Sequence, residues 1–241
     1  HVALVGLNSE AIPLLVFGSG LAGIPFAPIN YRLDDEHLRG VLGRLAPAMV
    51  VVDADMVERV QGVDGIEVVT RDDLLDSVSS GSGGDGGLVA AVPDPDEVAV
   101  LLFTSGTTGE PKAAVLRHRH LTSYIFTTVD FLGAGEDEAQ LVSVPPYHIA
   151  GVSAVLSSVF AGRRICYLPA FDPASWVATA AAEQITQAMV VPTMLNRILN
   201  EMERSGTELP ALRHISYGGG RMPRATIERA MTMLPEVRWV N

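Results

Sequence analysis

The segment Leu101–Lys112, with the sequence LLFTSGTTGEPK, joins a run of apolar residues to a loop rich in small and hydroxyl side chains. The apolar part belongs to a predicted buried strand, Val98–Thr104, and a second strand is predicted over Ala113–Arg117. Glycine lets backbone N–H groups turn toward an anion, hydroxyl groups donate to phosphate oxygens, and lysine adds a positive charge. The segment therefore predicts a strand that ends in a phosphate-binding loop. The loop residues expected to contact phosphate are Thr104, Ser105, Gly106, Thr107, Thr108, Gly109 and Lys112.

Lys112 stands out because it is the only lysine among the 17 basic residues of the chain. Its position excludes a Walker A loop, in which lysine directly follows the last glycine and precedes serine or threonine. Here Lys112 lies three residues after Gly109 and is followed by Ala113. An ordinary surface turn is the alternative interpretation of the same residues.

Outward from this loop, short apolar runs alternate with amphipathic stretches along the whole chain. Unbroken apolar strands between helices are typical of a sheet covered on both faces, so the predicted fold class is α/β. We predict two mainly parallel α/β subdomains packed in layers, residues 1–139 with the phosphate loop and residues 140–241 as an incomplete second subdomain. A helix is expected over Ser9–Ala22, with Ser9 as its N-cap and Gly23 at its end.

Charge and hydropathy exclude several classes of function. Fifteen acidic and four basic residues between 34 and 97 carry the whole net charge of −11, and the absence of an extended basic patch argues against a nucleic-acid partner. The uncharged runs Ala11–Tyr31 and Gln140–Gly162 are interrupted by prolines, so no membrane span is predicted. Cys166 is the only cysteine, which predicts a reducing cytoplasm.

Two common enzyme motifs are absent or out of context. Gly18–Gly23 matches the dinucleotide pattern G-x-G-x-x-G, but it ends a helical run, and Pro25 prevents a helix from starting after it. The nucleophile elbow G-x-S-x-G does not occur, and the histidines and the cysteine lack metal-ligand spacing. We therefore predict no metal ligand in this chain.

Thr104–Lys112 resembles the phosphate-loop signature of the adenylate-forming (AMP-binding) superfamily, which includes acyl-CoA synthetases, nonribosomal-peptide adenylation domains and luciferases. Three further segments resemble core motifs of that superfamily: Ala22–Leu33, Pro145–Gly151 and Tyr217–Pro223. The resemblance covers essentially the whole chain. Ala113 departs from it, because the family usually has glycine after the loop lysine.

The resemblance implies roles for individual residues. The phosphate loop, the glycines after Tyr217 and Asn241 would bind ATP, and Lys112 and His148 would be the catalytic residues of this chain. His148 would flank the acyl carboxylate. The implied nucleotide residues outside the loop are Gly218, Gly219, Gly220 and Asn241. The implied acyl-site residues are His148, Ile149, Gly151, Val152, Thr193, Tyr217 and Gly218.

The same residues also have simpler explanations. A strand that runs into Gly218–Gly220 could leave an open crevice for a flat ring, or it could be only a tight strand–helix turn. A lone histidine such as His148 is more often structural than functional. Ile149, Val152 and Thr193 could equally be ordinary core residues.

The resemblance also concerns the end of the chain. Asn241 resembles the first residue of the family motif Asn-x-Tyr-Gly-x-Thr-Glu, so the chain is expected to be about half of a synthetase. The main Mg²⁺ ligand, the ribose-binding Asp and a further catalytic Lys are then expected beyond Asn241. This piece would be inactive alone.

The implied activity is that of an AMP-forming acid–thiol ligase: a carboxylate attacks the α-phosphate of ATP with Mg²⁺, and CoA then displaces AMP. The segment Tyr147–Val152 contains no acidic residue to pair with a substrate ammonium, so a fatty or other non-amino acid is expected. The alternatives are an aryl acid ligase, a fatty acyl-AMP ligase, a luciferase-type enzyme and a non-catalytic nucleotide-binding fragment. The last alternative is a structural or interaction domain, and the phosphate loop argues against it.

Overall fold

Strands and helices alternate along residues 1–81, 92–104 and 111–241, which this computed structural model describes. Ser105, Gly106, Thr107, Thr108 and Gly109 of the predicted loop lie outside these ranges. The described strands are β1 (Val2–Val5), β2 (Phe26–Pro28), β3 (Ala48–Val52), β4 (Ile66–Thr70), β5 (Val98–Thr104), β6 (Lys112–Arg117), β7 (Ala139–Val142), β8 (Arg164–Tyr167), β9 (Gln187–Val190), β10 (His214–Tyr217) and β11 (Arg238–Val240). The described α-helices are α1 (Ala11–Ala22), α2 (Asp35–Leu45), α3 (Val57–Val60), α4 (Arg71–Ser79), α5 (His118–Thr128), α6 (Ile149–Ala161), α7 (Pro173–Ala182), α8 (Pro192–Ser205) and α9 (Arg224–Met233).

The strands form two mostly parallel sheets, which confirms the predicted α/β class. The first sheet has the order β4-β3-β1-β2-β5-β6, and its only antiparallel pair among the described residues is β5 with β6. The second sheet has the order β11-β10-β9-β7-β8, with every neighbouring pair parallel. Parallel pairing places the carboxyl ends of neighbouring strands, and the loops that follow them, along one edge of each sheet.

Contacts divide the chain into two units, each containing one sheet. The first unit comprises His1–Thr127 and Pro146–Ile149, and the second comprises Thr128–Pro145 and Ala150–Asn241. The division between 139 and 140 that the sequence suggests stays a prediction.

The helices begin and end where capping residues and apolar spacing favour it. Asp34 caps α2, since its carboxylate accepts the His37 N–H at 3.0 Å, and the buried face of this helix repeats at helical spacing. Asp172 caps α7 in the same way, with Pro173 in the first turn and Trp176 fully buried below it. These local signals explain where both helices start.

The predicted N-cap of α1 is wrong, but its predicted end is confirmed. α1 starts at Ala11 with Glu10 as its N-cap, and no side chain caps it. Ser9 instead lies buried, and its backbone carbonyl accepts the Ile12 N–H. Gly23 ends the helix at φ 68°, a left-handed conformation that suits glycine.

None of the helices in the described ranges combines the length and hydropathy of a membrane-crossing segment.

Candidate functional site

The two ends of the predicted phosphate loop are neighbours in the first sheet. Thr104 is the last residue of β5, and Lys112 is the first residue of β6 and its partner in the antiparallel register. The Thr104 hydroxyl donates to the Lys112 carbonyl at 3.4 Å. The loop thus connects the strands of a β-hairpin, which differs from the strand-to-helix connection of a Walker A loop.

Lys112 is exposed at the start of β6, and its ammonium group forms no ion pair with any residue in 1–81, 92–104 or 111–241. Its side chain is exposed and can therefore meet an anion that reaches this edge of the sheet.

Arg44, which sequence analysis missed, contacts both sides of the loop, at Phe103 in β5 and at Pro111 just before β6. It lies in the last turn of α2 and donates from Nη1 to the Pro111 carbonyl at 2.7 Å. Its guanidinium carbon also lies 5.3 Å from the centroid of the Phe103 ring. Nothing in local spacing predicts this contact, because Arg44 and Pro111 are 67 residues apart in the chain.

His148 lies in a cluster of aromatic rings within the first unit. The His148 and Tyr147 rings are 4.6 Å apart, and the Tyr147 and Tyr31 rings meet edge to face at 5.5 Å. The Arg32 guanidinium carbon lies 5.6 Å from the Tyr31 ring centroid. Tyr31 and Arg32 follow β2, and so they come from a carboxyl end of the same sheet that carries the phosphate loop. Sequence analysis placed them in a core motif without a role.

Burial, and in smaller part the positive charge of Arg32, lowers the pKa of His148 below its ordinary 6.5. The imidazole is therefore neutral at neutral pH, with one nitrogen able to donate a hydrogen bond and the other able to accept one. A neutral imidazole can lie beside the carboxylate of a substrate without forming a salt bridge, which would stabilise the substrate before it reacts.

Removing the charge of Arg32 is expected to raise the pKa of His148 toward 6.5 without reaching it, because burial remains. Because the folded protein protonates His148 less readily than the unfolded chain does, His148 lowers the free energy of unfolding as the pH drops through 6.5 and below. NMR titration of the His148 ring in wild type and Arg32→Met measures both pKa values. An unchanged or lower pKa in Arg32→Met would contradict this assignment, and Arg197→Met, which removes a ring-stacked guanidinium in the second unit, is the matched control.

The proposed acyl-site residues near His148 differ in exposure. Ile149 belongs to the first unit and is 49% exposed, so its side chain is accessible. Gly151 and Val152 belong to the second unit and are buried, Val152 completely. A role for Val152 would therefore have to act through packing of α6.

In the second unit, the structure brings Thr193 and the glycines together at the carboxyl ends of adjacent strands. Thr193 follows β9 and is exposed, and Tyr217 ends β10. The Gly218 N–H donates to the Val190 carbonyl at 3.4 Å. The crossover connections change direction between β7 and β9, and in open α/β sheets ligands bind beside such a point.

Gly219 is the glycine that this turn requires. Its φ is 74°, and a Cβ atom there would lie 3.2 Å from Cγ1 of Val191. Gly218 and Gly220 have more room, with the nearest atoms to an added Cβ at 3.7 and 4.0 Å. The three residues leave a stretch of backbone without side chains, against which a flat ring can lie closely. Asn241 follows β11 at the same edge of the sheet and is exposed.

Two further observations concern charged groups. Arg164 lies at the amino end of β8, where it pairs with Glu183 at 2.7 Å, away from the carboxyl ends of the strands. In the part of the chain that the structure describes, no group of three or more His, Cys, Asp or Glu side chains is placed to hold a metal ion.

The chain is similar to part of several longer curated proteins. The chain is 29% identical over 231 residues to a feruloyl-CoA synthase from Amycolatopsis sp, which covers 92% of this chain and 45% of that protein. It is 28% identical to the 4-chlorobenzoate–CoA ligase of Pseudomonas sp. (strain CBS-3), over 97% of this chain and 46% of that protein. The chain thus spans about half the length of these curated relatives.

Solved structures share the fold. The N-terminal domain of FACL13 from Mycobacterium tuberculosis superposes with a TM-score of 0.83 at 22% identity, over 99% of this chain and 61% of that one. ATP-bound MatB from Rhodopseudomonas palustris gives a TM-score of 0.80 at 26% identity, over 96% of this chain and 47% of that one. The family model described as AMP-binding enzyme matches residues 1–241, and the chain therefore belongs to the AMP-binding enzyme family.

Proposed function

We propose that the protein containing this chain uses ATP to activate a carboxylic acid as an acyl-adenylate and then forms a thioester with CoA. The observation that carries the proposal is the β5–β6 hairpin, whose paired ends, Thr104 and Lys112, flank the glycine- and hydroxyl-rich loop. Membership of the AMP-binding family supports ATP use, and the named relatives are CoA ligases or synthases.

Lys112 and the loop would hold the β- and γ-phosphates of ATP. Charge builds on the leaving pyrophosphate when the carboxylate attacks the α-phosphorus, and a fixed positive charge with backbone donors stabilises it. The adenine ring would lie against the bare backbone at Gly218–Gly220, where no side chain covers the peptide units. Asn241 would complete the nucleotide site at the same edge of the second sheet.

His148 would lie next to the reacting carboxylate of the acid. Its neutral imidazole can orient that carboxylate through a hydrogen bond without neutralising its nucleophilic charge. Within the second unit, Thr193 and Tyr217 would contact the acyl group, and Gly151 and Val152 would support them through α6. Ile149 would contact the acid from the first unit. Mg²⁺ would bind together with the phosphates of ATP, and the described residues contain no cluster of three or more His, Cys, Asp or Glu side chains that could hold it by themselves.

The acid would be a fatty or another non-amino acid, because Tyr147–Val152 contains no carboxylate for a substrate ammonium. A long-chain fatty acid ligase, FadD13 of Mycobacterium tuberculosis, is 25% identical over 95% of this chain and supports this choice. An aryl acid is the second candidate, since two relatives are named for feruloyl-CoA and 4-chlorobenzoate. A cytoplasmic location stays a proposal that rests on the single Cys166.

The test is ATP–pyrophosphate exchange by the complete gene product with a panel of fatty, aryl and amino acids. We expect exchange with fatty or aryl acids and a CoA thioester when CoA is added. Exchange with amino acids alone would overturn the substrate class. Acyl-adenylate without a CoA thioester would indicate a carrier-protein acceptor or oxidative chemistry, and ATP binding without exchange would indicate a non-catalytic nucleotide-binding protein.

A further inference from the structure

Arg44 connects α2 to residues on both sides of the loop, Phe103 in β5 and Pro111 just before β6. The guanidinium donates to the Pro111 carbonyl on one side and lies over the Phe103 ring on the other. Phe103 is 9% exposed and belongs to the same core cluster as Leu42 and Leu45 of α2. The guanidinium thus lies between a backbone carbonyl on one side of the loop and a buried ring on the other.

We propose that Arg44 is a positioning residue for Lys112. The Pro111 carbonyl belongs to the peptide unit that also contains the Lys112 N–H, and this unit is planar. A charged donor that holds the carbonyl oxygen therefore fixes the plane from which the Lys112 side chain departs. The inference rests on the proposed role of Lys112 in binding phosphate.

Arg39, on the same helix, makes similar contacts, but its acceptors lie in α3 and not beside Lys112. It donates from Nε to the Arg59 carbonyl at 3.0 Å and from Nη2 to the Glu58 carbonyl at 3.3 Å. Both acceptors belong to α3, which carries none of the proposed site residues. Arg39 thus provides a matched control: the same residue type, helix and kind of acceptor.

The experiment compares Arg44→Met with Arg39→Met in the complete gene product. Methionine keeps an apolar side chain against Phe103 and removes the donor and the charge. Arg44→Met is expected to weaken ATP binding, measured by calorimetry, about threefold to tenfold, which is the net value of one hydrogen bond. Arg44→Lys should restore most of the affinity, because it keeps a cationic donor, and Arg39→Met should bind ATP as wild type does.

A second variant separates positioning from general stability. In a Lys112→Ala background, Arg44→Met should weaken ATP binding no further, because the group that it positions is gone. An additional loss there, or a loss in Arg39→Met equal to that in Arg44→Met, would overturn the inference. If Lys112→Ala binds ATP normally, the proposed role of Lys112 fails. If Lys112→Ala weakens binding and Arg44→Met does not, only the inference about Arg44 fails.

Discussion

Lys112→Ala is expected to weaken ATP binding by about tenfold to a hundredfold and to leave the free energy of unfolding nearly unchanged. The first effect follows because a hydrogen bond between charged groups is worth more than a neutral one, and here it would be made to phosphate. The second follows because the Lys112 side chain is exposed and its ammonium pairs with no carboxylate in the described part of the chain. Binding and stability should therefore separate cleanly at this position.

Calorimetric titration with ATP measures the first effect, and urea denaturation measures the second. Lys112→Arg should recover part of the affinity, since it keeps the charge but changes the donor geometry. Arg204→Ala, which removes a base that is 71% exposed on α8, is the control for a general loss of positive charge. Wild-type affinity in Lys112→Ala would remove Lys112 from the phosphate site.

Features that depend on a few neighbouring residues could be predicted from the sequence. The strands β5 and β6 are predicted within one residue of their bounds, because apolar runs on both sides of a glycine-rich loop are a local signal. The cap Asp172 and the helix end at Gly23 are local in the same sense. Ser9 fails as a cap because the start of α1 is set by packing, which buries that residue.

The remaining parts of the candidate site depend on contacts between distant residues. Arg44 reaches Pro111, and Tyr31 packs against Tyr147, and no periodicity in a single sequence records either pair. The antiparallel pairing of β5 with β6 was likewise not predicted. The contact of Arg44 with Pro111 forms only when α2 packs beside the β5–β6 end of the first sheet, and the contact of Tyr31 with Tyr147 only when the segment after β7 packs against the segment after β2. Neither could be predicted one segment at a time.

Strand order also places a buried carboxylate at a particular position of the first sheet. Its crossover connections change direction between β1 and β3, which is the kind of place where open α/β sheets bind ligands. Here the Asp53 side chain occupies that position. Its carboxylate accepts the Leu7 N–H at 2.9 Å and pairs with Arg71 at 2.8 Å. A Cβ atom at Gly6 would lie only 2.7 Å from the same carboxylate, so the loop after β1 is closed tightly around it.

Asp53→Ala is therefore expected to lower the free energy of unfolding by about 2–4 kcal/mol, since it leaves the Leu7 N–H and the Arg71 guanidinium without their carboxylate. The value lies below that of a fully buried pair because the Arg71 side chain is 28% exposed, against 6% for Asp53. Urea denaturation measures the change, and Asp96→Ala, which breaks an exposed pair with Arg119, should cost at most about 1 kcal/mol.

A double-mutant cycle of Asp53→Ala with Arg71→Ala tests whether the loss comes from this ion pair. Residues in direct contact give coupling energies above about 0.5 kcal/mol, whereas independent residues add within that amount. Additive losses would mean that Asp53 stabilises the loop through the Leu7 N–H alone. A loss in Asp53→Ala no larger than that in Asp96→Ala would mean that the charge at the β1–β3 position contributes nothing to stability. The position would then have to be reconsidered as a ligand site, because a buried carboxylate that does not stabilise the fold needs another reason to be there.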